Sequence, residues 1–395
     1  MFSMEKRKSI PYPQEIILPA IMCAMTKRTM RALGYFPRNG QVRPVELPLD
    51  PPQEDEILVR IMKVAFTRRD RNLLQDLGAM TPQGSDFIVP GHVAVGKVVQ
   101  IGGLVRDFQP GDIVVPTVRR DCNRCIDARS DLCPYPQYYS DSGLHGAHGF
   151  AREFLAIRSR YLIRIPPHLE HLALLLTPLS RAEKAHEEAV QVMKRYNFFC
   201  YHNPEEFAPS ALIAGMGIVG IMTAFLLSLY NYRLTIFCRR EVDDDRSAIL
   251  KPLNLEYINT QWVPPERLEK AGYGFNQLFE TTGDPEFAFR LLSFLTSNSV
   301  AVLMDAPARA SRDLEIEISA GNLLTNMVHG NQVILGSIKA GRDAFESGVR
   351  HLLELADLHG ETLASLFTQS YPFNEYQDLL NLDSRDVLIP VLDLE

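Results

Sequence analysis

The sequence predicts an α/β fold in which a β-rich, barrel-like domain is combined with a doubly wound parallel sheet. Residues 30–162 show short alternating apolar runs separated by Pro- and Gly-containing turns, a pattern typical of β-strands. Residues 211–240 instead show an apolar strand, a glycine-rich turn, a long apolar helix and a second strand, and strand-like and helical runs alternate after them. With 395 residues, the chain is long enough to bury two separate cores.

Composition argues against several classes of function. Apolar residues make up 46% of the chain but form no uninterrupted run long enough to cross a bilayer, so no membrane span is expected. The net charge of −7 is spread along the chain and leaves no basic footprint for nucleic acid or an anionic membrane. Six cysteines are too few for a disulfide scaffold, which favours reduced cytosolic thiols or a metal site.

The first 29 residues are expected to form a disordered extension. Lys6-Arg7-Lys8 and the apolar stretch that follows have the order of a signal peptide. However, Pro19 interrupts the stretch, and basic residues follow it in place of a small-residue cleavage site. The first predicted strand begins at Met30.

Each later element is predicted from its periodicity. The helical spacing of apolar residues over 167–195 predicts a helical region, and a loop over 196–209 separates it from the glycine-rich unit. An amphipathic helix is expected over 341–359. Further strands are expected at 56–61, 113–115, 277–280, 299–304, 332–335 and 386–390.

Three glycines follow the spacing of a dinucleotide-binding turn between a strand and a helix. Gly215 permits a tight turn, Gly217 lets backbone N–H groups approach a diphosphate, and Gly220 lets the helix pack close to the sheet. The diphosphate would lie at the helix N-terminus, where unpaired N–H groups and the helix dipole favour an anion. A purely structural glycine turn is the alternative.

The end of the second strand predicts which dinucleotide is bound. An NAD enzyme places an Asp or Glu there to bind the ribose 2′-hydroxyl, but this chain has Cys238 followed by two arginines, whose guanidinium groups suit a 2′-phosphate. Pairing of these arginines with nearby acidic residues, Glu241 or Asp243 to Asp245, is the alternative. We expect NADP(H), bound by Gly215, Gly217, Ile218, Val219, Gly220, Arg239, Arg240 and Thr282.

Several short motifs are spread over the chain: Gly91–Gly96, Gly111-Asp112, Val118–Arg120, Gly143–His145, Gly149-Phe150, Pro178-Leu179, Glu183-Lys184 and Cys238–Arg240. Through these motifs the chain, from Met30 to the C-terminus, resembles the zinc-type medium-chain dehydrogenases, and within them the archaeal-type glucose dehydrogenases. The resemblance implies a GroES-like catalytic barrel, residues 30–190 and 337–395, into which a Rossmann domain, residues 191–336, is inserted.

The resemblance also shows that the catalytic-zinc ligands of the family are largely replaced. A family cysteine corresponds to Thr67, the Gly-His-Glu motif reads Gly91-His92-Val93, and a family Gln corresponds to Thr177. A hydroxyl does not deprotonate at neutral pH, and one imidazole beside two arginines cannot hold Zn²⁺ tightly. A catalytic zinc is therefore not expected.

Three cysteines match part of the family's structural-zinc lobe. Cys122, Cys125 and Cys133 have the spacing of the last three of its four cysteines, and Arg119 falls at the first position. Three thiolates with a fourth donor such as Asp121 can close a tetrahedral zinc site. Three reduced cysteines in a remnant loop are the alternative.

Substrate-side positions of the family are altered as well. Asp141 and His329 match family residues, whereas Arg181 replaces an Asp and Lys339 replaces an Asn. Together with Thr177 they would form the substrate site, and the arginine and lysine would make it more basic than a glucose site. The alternative is that these charges pair with neighbouring carboxylates and only hold the fold.

These observations lead us to expect an NADP(H)-dependent oxidoreductase that transfers hydride to or from a small polar carbonyl compound or polyol without catalytic zinc. Thr67, His92 and one of Arg68 or Lys339 would relay the proton and stabilise developing charge. The alternatives are a metal-free reductase of activated C=C bonds, a redox-neutral epimerase or lyase with tightly bound NADP, and a non-catalytic dinucleotide-binding protein. Homodimers or homotetramers are usual in the family, so self-association is expected.

Overall fold

The computed structural model describes residues 29–120, 130–133, 135, 139–195, 208–239, 249–261, 263, 265–270, 272–307, 314–367, 369–382 and 388–395. The predicted N-terminal extension up to residue 28, Asp121, Cys122, Cys125 and Arg240 lie outside these ranges. Within them, no helix combines the length and apolarity needed to span a bilayer.

The first part of the chain is built almost entirely from strands, as predicted. One short helix, α1 (Arg68–Leu74), follows the third strand. The strands are β1 (Thr29–Phe36), β2 (Gln41–Pro48), β3 (Glu56–Ala65), β4 (Val93–Ile101), β5 (Ile113–Pro116), β6 (Arg119–Arg120), β7 (Ser140–Ser142), β8 (Gly146–Ala147), β9 (Phe154–Arg158) and β10 (Leu162–Ile165).

The second part alternates strands and helices. A 3₁₀ run over Pro167–Leu175 leads into it. Its helices are α2 (Leu176–Lys194), α3 (Ile218–Ser228), α4 (Pro265–Lys270), α5 (Pro285–Leu291), α6 (Ala320–His329), α7 (Arg342–Ala364) and α8 (Tyr376–Asn381). Its strands are β11 (Ser210–Ala214), β12 (Arg233–Cys238), β13 (Leu255–Asn259), β14 (Phe275–Glu280), β15 (Leu295–Leu303), β16 (Val333–Gly336), β17 (Gln369–Pro372) and β18 (Pro390–Asp393).

Two main sheets result. The barrel sheet has the order β10-β5-β4-β3-β18-β17, with β9 also paired to β3. The second sheet has the order β13-β12-β11-β14-β15-β16, and all its pairs are parallel. This order, with its crossover at β11, is that of a doubly wound dinucleotide-binding fold. The predicted fold class is therefore confirmed.

The C-terminal strand returns to the barrel. β18 pairs antiparallel with β3, where Leu392 lies opposite Val64. One apolar core runs from the barrel through α2 into the parallel sheet and includes Val95, Leu179 and Ile213. This path agrees with an inserted domain, although the exact domain limits at 190/191 and 336/337 stay a prediction.

Among the element boundaries that differ from the prediction, two lie near the C-terminus. The last strand was expected at 386–390 but begins at Pro390, because proline has no N–H to give to a ladder and is tolerated at a strand's first residue. Leu388 and Ile389 are buried without being in a strand. The long helix α7 was expected to end near His359, but it only kinks there, with φ −140° and ψ 23°, and continues to Ala364.

Three glycines fix the backbone around His92. Gly91 has φ of +86°, a conformation that favours glycine. A Cβ on Gly149 would lie 2.3 Å from the carbonyl oxygen of Gly91, and one on Gly143 would lie 2.5 Å from the same atom. The backbone segments therefore touch directly, and this contact positions His92 at the entrance to β4.

Candidate active site

The glycine turn between β11 and α3 forms a backbone cradle at the carboxyl edge of the parallel sheet. Gly215 has φ of +99°, and a Cβ there would lie 2.7 Å from Cγ2 of Thr282. A Cβ on Gly220 would lie 2.2 Å from the carbonyl oxygen of Gly215, so glycine is needed for this close approach of α3. Gly217, the N-cap of α3, has open space where a side chain would begin. The cradle suits a diphosphate.

The turn after β14 supports this cradle. Thr281 Oγ1 donates to the carbonyl oxygen of Ala214 at 2.7 Å. The buried carboxylate of Glu280 accepts hydrogen bonds from the N–H groups of the two residues after Thr281, at 2.6 and 3.2 Å. Burial raises the pKa of Glu280, and these hydrogen bonds oppose the rise.

A cavity of about 500 Å³ opens beside the cradle and is lined by both parts of the molecule. Among the described residues, its lining contains five arginines and two aspartates, which gives this part of the lining a surplus of positive charge. Arg68, from α1, reaches across it, and its Nη1 donates to the carbonyl oxygen of Thr282 at 3.0 Å. The sequence-predicted residues in the lining are Thr67, Arg68, Arg181, Gly215, Gly217, Ile218, Val219, Arg239 and Thr282.

The barrel contributes a hydrogen-bonded chain of Thr67, Asp70 and His92. Thr67 caps α1, because its Oγ1 accepts from the N–H of Arg69 at 3.2 Å. The same hydroxyl donates to Asp70 Oδ2 at 2.9 Å, and the N–H of Thr67 donates to that oxygen at 2.7 Å. Asp70 Oδ1 lies 2.9 Å from His92 Nδ1.

Asp70 is fully buried and ionised. Burial alone would raise the pKa of this carboxyl group, but the charge and hydrogen bond of His92 and the hydrogen bonds from Thr67 lower it overall. The contact between Asp70 and Nδ1 of His92 fixes the orientation of the imidazole ring. The arrangement connects the cavity wall at Thr67 to a buried imidazole.

A second group of charges lies at the ends of β15 and β16. Arg69 Nη2 is 2.5 Å from Asp305 Oδ1, and Arg181 donates through Nη2 to the carbonyl oxygen of Met304. Burial first, and the neighbouring Arg69 second, lower the pKa of Arg181 to about 10, whereas Asp305 opposes the shift. For Asp305, burial would raise the carboxyl pKa, but the two arginines lower it.

Lys339 is buried beside this group. Its Nζ lies 3.7 Å from Asp141 Oδ2, and Lys184 holds its backbone by donating to the carbonyl oxygen at 2.8 Å. Burial lowers the pKa of Lys339 to about 7; Asp141 opposes this shift, whereas three nearby arginines add to it. An amine with a pKa near neutrality can take up and release a proton at physiological pH.

Asp141 forms its closest ion pair with Arg119. The guanidinium Nε of Arg119 lies 2.6 Å from Asp141 Oδ1, and its Cζ lies 3.7 Å from the centre of the Tyr139 ring. Burial would raise the pKa of Asp141, but Lys339 and Arg119 lower it. Arg119, at the position of the first family cysteine, is therefore part of a buried ion pair that helps to hold the fold.

The other end of the cavity carries Arg239. Its Nη2 lies 2.7 Å from Asp284 Oδ2, and its guanidinium lies 5.4 Å from the centre of the Phe287 ring. Asp284 also caps α5 by accepting from the N–H of Phe287 at 3.1 Å. The partner of Arg239 is thus a residue distant in sequence; Glu241 and Asp243 to Asp245, considered above, lie outside the described residues.

The structure corrects the expected place of His329. This residue is exposed and ends α6, next to the start of β16, at the amino edge of the parallel sheet. A helix that precedes a parallel strand always ends at the amino edge, whereas the cavity lies at the carboxyl edge. His329 therefore does not join Thr67 and His92 in one site.

Thr177 and Cys133 have less definite positions. Thr177 is buried on α2, one helical turn before Arg181 and on the same side of the helix. Its Oγ1 has no hydrogen-bond partner among the described residues. Cys133 is half-buried, with its Sγ 4.0 Å from the carbonyl oxygen of Tyr135. In the part of the chain that the structure describes, no cluster of three His, Cys, Asp or Glu side chains could hold a metal ion.

Sequence reasoning missed four residues of this site: Arg69, Asp70, Glu280 and Asp305. The Thr-x-x-Asp pattern of a helix cap contained a signal for Asp70. Asp305 and Glu280 follow or end predicted strands, and the carboxyl edge of a parallel sheet is where sites form. The contact of Asp305 with Arg69, more than two hundred residues away in the sequence, carried no local signal.

Comparisons with known proteins agree with this architecture. Residues 53–167 match the family "Alcohol dehydrogenase GroES-like domain" and residues 170–393 match "Glucose dehydrogenase C-terminus". Glucose 1-dehydrogenase 1 of Caldivirga maquilingensis is 30% identical over 91% of this chain and 97% of its own length. Glucose 1-dehydrogenase of Thermoproteus tenax is 31% identical over 88% and 95%.

A solved structure shows the same relationship. Glucose dehydrogenase of Haloferax mediterranei, in complex with NADP, zinc and gluconolactone, superimposes with a TM-score of 0.78 at 28% identity, over 93% of this chain and 99% of that chain. The family matches together span most of the described residues and both main sheets. The chain therefore belongs to the medium-chain dehydrogenase superfamily, among its glucose-dehydrogenase-like members, and is an NAD(P)-dependent oxidoreductase.

Proposed function

We propose that the protein transfers hydride between NADP(H) and a small polar carbonyl compound or polyol, without a catalytic zinc. The observation that carries this proposal is that one cavity is lined by both the glycine cradle and Thr67. Through Asp70, this cavity is connected to the buried imidazole of His92. Dinucleotide and proton-transfer groups thus come from different parts of the chain and meet in one place.

The residues of the cavity fit a dinucleotide. The cradle at Gly215 and the open N-cap at Gly217 would hold the diphosphate, with Arg68 beside it. When bound, NADP(H) accepts a hydride from the carbinol carbon or donates one to the carbonyl carbon, while the hydroxyl proton leaves to, or comes from, a group of the protein. The chain's task is to position both reactants and to handle that proton.

The donor set does not fit a tightly held catalytic zinc. Such a site needs three protein ligands, and His92 is the one conventional ligand left at the family positions. The Thr67 hydroxyl already donates to Asp70, and Asp70 itself is bonded to His92 and Thr67. The structure of the relative from Haloferax mediterranei contains zinc. The residues of this chain at the family's ligand positions do not provide a comparable set of ligands.

Cationic groups of the chain take over the stabilisation of a developing alkoxide. Lys339 is the proton acceptor when a polyol is oxidised and the donor when a carbonyl is reduced, since its pKa lies near 7. Arg69 and Arg181, which line the cavity and lie near Lys339, stabilise negative charge there. Thr67 and His92 orient the reacting oxygen by hydrogen bonds.

Self-association through the edge of the parallel sheet completes the proposal. β16 is an edge strand whose residues are only partly buried, and α6 beside it has no buried residue. Leu324 and Val328 on α6 are 62% and 64% exposed. An unpaired strand edge beside exposed apolar side chains suits a second copy of the same chain, since such an edge is otherwise prone to aggregate.

The activity is tested with protein that has been dialysed against a chelator. We expect oxidation of NADPH with polar carbonyl compounds and reduction of NADP⁺ with polyols, at rates that added Zn²⁺ does not raise. Absorbance of the reduced nicotinamide measures both. Turnover restricted to conjugated enones would support reduction of a C=C bond instead, and rates that depend on Zn²⁺ would contradict the metal-free site.

Replacement of Arg239 by Ala should weaken NADPH binding by about tenfold to a hundredfold and leave NADH binding nearly unchanged, because a charge-assisted hydrogen bond to the 2′-phosphate is lost. Asp284→Asn is the matched variant: the amide oxygen keeps the cap of α5 but no longer competes as an anion, so NADPH should bind more tightly. Fluorescence titration at fixed salt measures both. Equal affinity of the intact protein for NADPH and NADH would refute the assignment.

The double variant Leu324→Glu and Val328→Glu should convert a homo-oligomer into monomers, because two charges would be placed on the proposed contact surface. Light scattering on the purified protein measures the mass. Leu358→Glu, at a 60% exposed position on α7, is the control and should leave the mass unchanged. A monomeric wild-type protein, or oligomers that persist in the double variant, would show that this surface is not the contact.

A further inference from the structure

Four cations lie close together at the ends of β15 and β16: Arg69, Arg119, Arg181 and Lys339. Three arginines are near enough to lower the pKa of Lys339, and two carboxylates face the group. Asp305 is bonded to Arg69 and Asp141 is bonded to Arg119, at 2.5 and 2.6 Å. Among the described residues, four cations therefore share two carboxylates.

The remaining contacts of this cluster are incomplete. Arg181 has a backbone carbonyl as its hydrogen-bond acceptor, and Lys339 lies 3.7 Å from a carboxylate that Arg119 already holds. Among the residues that the structure describes, the buried Nε atoms of Arg69 and Arg181 and the buried hydroxyl of Thr177 have no hydrogen-bond partner. Both arginines line the cavity. Buried donors that face a cavity without a partner indicate a ligand that would accept their hydrogen bonds.

The dinucleotide does not account for these donors. Its diphosphate would lie at the start of α3, and its 2′-phosphate would lie at Arg239, beyond the end of β12. The unpartnered cations lie on the other half of the sheet, after β15 and β16, where the nicotinamide and the substrate would meet. The nicotinamide ring brings no negative group to that half.

We infer that the substrate carries an anionic group, a carboxylate or a phosphate, which Arg69 and Arg181 bind. This inference rests on the proposed function, because it concerns the substrate of the same cavity. A guanidinium fork donates two parallel hydrogen bonds to either kind of oxyanion. The substrate class is therefore a sugar acid, a sugar phosphate or a similarly charged polyol, and not a neutral sugar.

Three probes with one carbon skeleton test the inference: D-gluconate, D-glucose 6-phosphate and D-glucose. Binding of each is measured by calorimetry to the protein saturated with NADP⁺, so that the diphosphate site is filled. At least one anionic probe should bind tenfold or more tightly than glucose, by an order-of-magnitude estimate for one charge-assisted contact. Which of the two anions binds more tightly separates carboxylate from phosphate recognition.

Variants locate the binding groups. Arg181→Gln and Arg69→Gln should each weaken binding of the anionic probe by about tenfold to a hundredfold and leave the binding of glucose unchanged. Arg290→Gln, which removes an exposed guanidinium paired with Glu286, is the control and should behave as wild type. Thermal melting checks that each variant is folded. If one arginine variant does not fold, binding of the anionic probe to the other variant tests the inference.

Several results would overturn the inference. These results are glucose binding as tight as that of both anions, no binding of either anion, and wild-type binding of the anions by both arginine variants. Failure of the proposed function is a separate result, because NADPH titration reports it directly. In that case the probes are titrated into the free protein, where loss of anion binding in Arg181→Gln would still support the anion site and unchanged binding would reject it.

Discussion

Positive charge enclosed between the barrel and the parallel sheet is the constraint on which the rest of the site depends. Burial of an arginine or lysine costs free energy unless a negative group compensates it. Asp305 and Asp141 compensate Arg69 and Arg119, and the charge that remains lies at Arg181 and Lys339. In the proposed function, these fixed side chains supply the positive charge that a catalytic zinc would otherwise provide.

The barrel supplies the second half of the arrangement through a short helix. Thr67 caps α1 and in doing so fixes Asp70, which orients His92. The same helix carries Arg68 across to the turn after β14 and Arg69 to the end of β15. This short helix thus sets the geometry of Thr67, Asp70 and His92 and joins the barrel to the parallel sheet.

Much of the fold could be predicted from the sequence because its signals are local. The glycine spacing after β11 requires a particular backbone, and the alternation of apolar residues determines which runs become strands. The position of Cys238 and Arg239 at the end of β12 was equally local. These features can be identified without knowing the contacts that these segments make with the rest of the chain.

The rest depended on contacts that the sequence does not display. Arg69 pairs with Asp305, more than two hundred residues away in the sequence, and Arg239 pairs with Asp284, which lies on another element. His329 was matched by resemblance alone, and its helix ends at the opposite edge of the sheet. Pairing of charges and placement of helix ends are set by tertiary structure, which periodicity does not report.

The proposed function requires that buried cationic side chains, with Lys339 as the proton carrier, replace a catalytic metal ion. The most direct measurement is the pH dependence of kcat for polyol oxidation, compared between the wild type and Lys339→Met. Oxidation needs the neutral amine, so the wild-type rate should rise with pH up to about 7 and then level off, whereas reduction should decline above that pH. The variant should be slow and lose this inflection, and an unchanged inflection in a folded Lys339→Met protein would contradict the account.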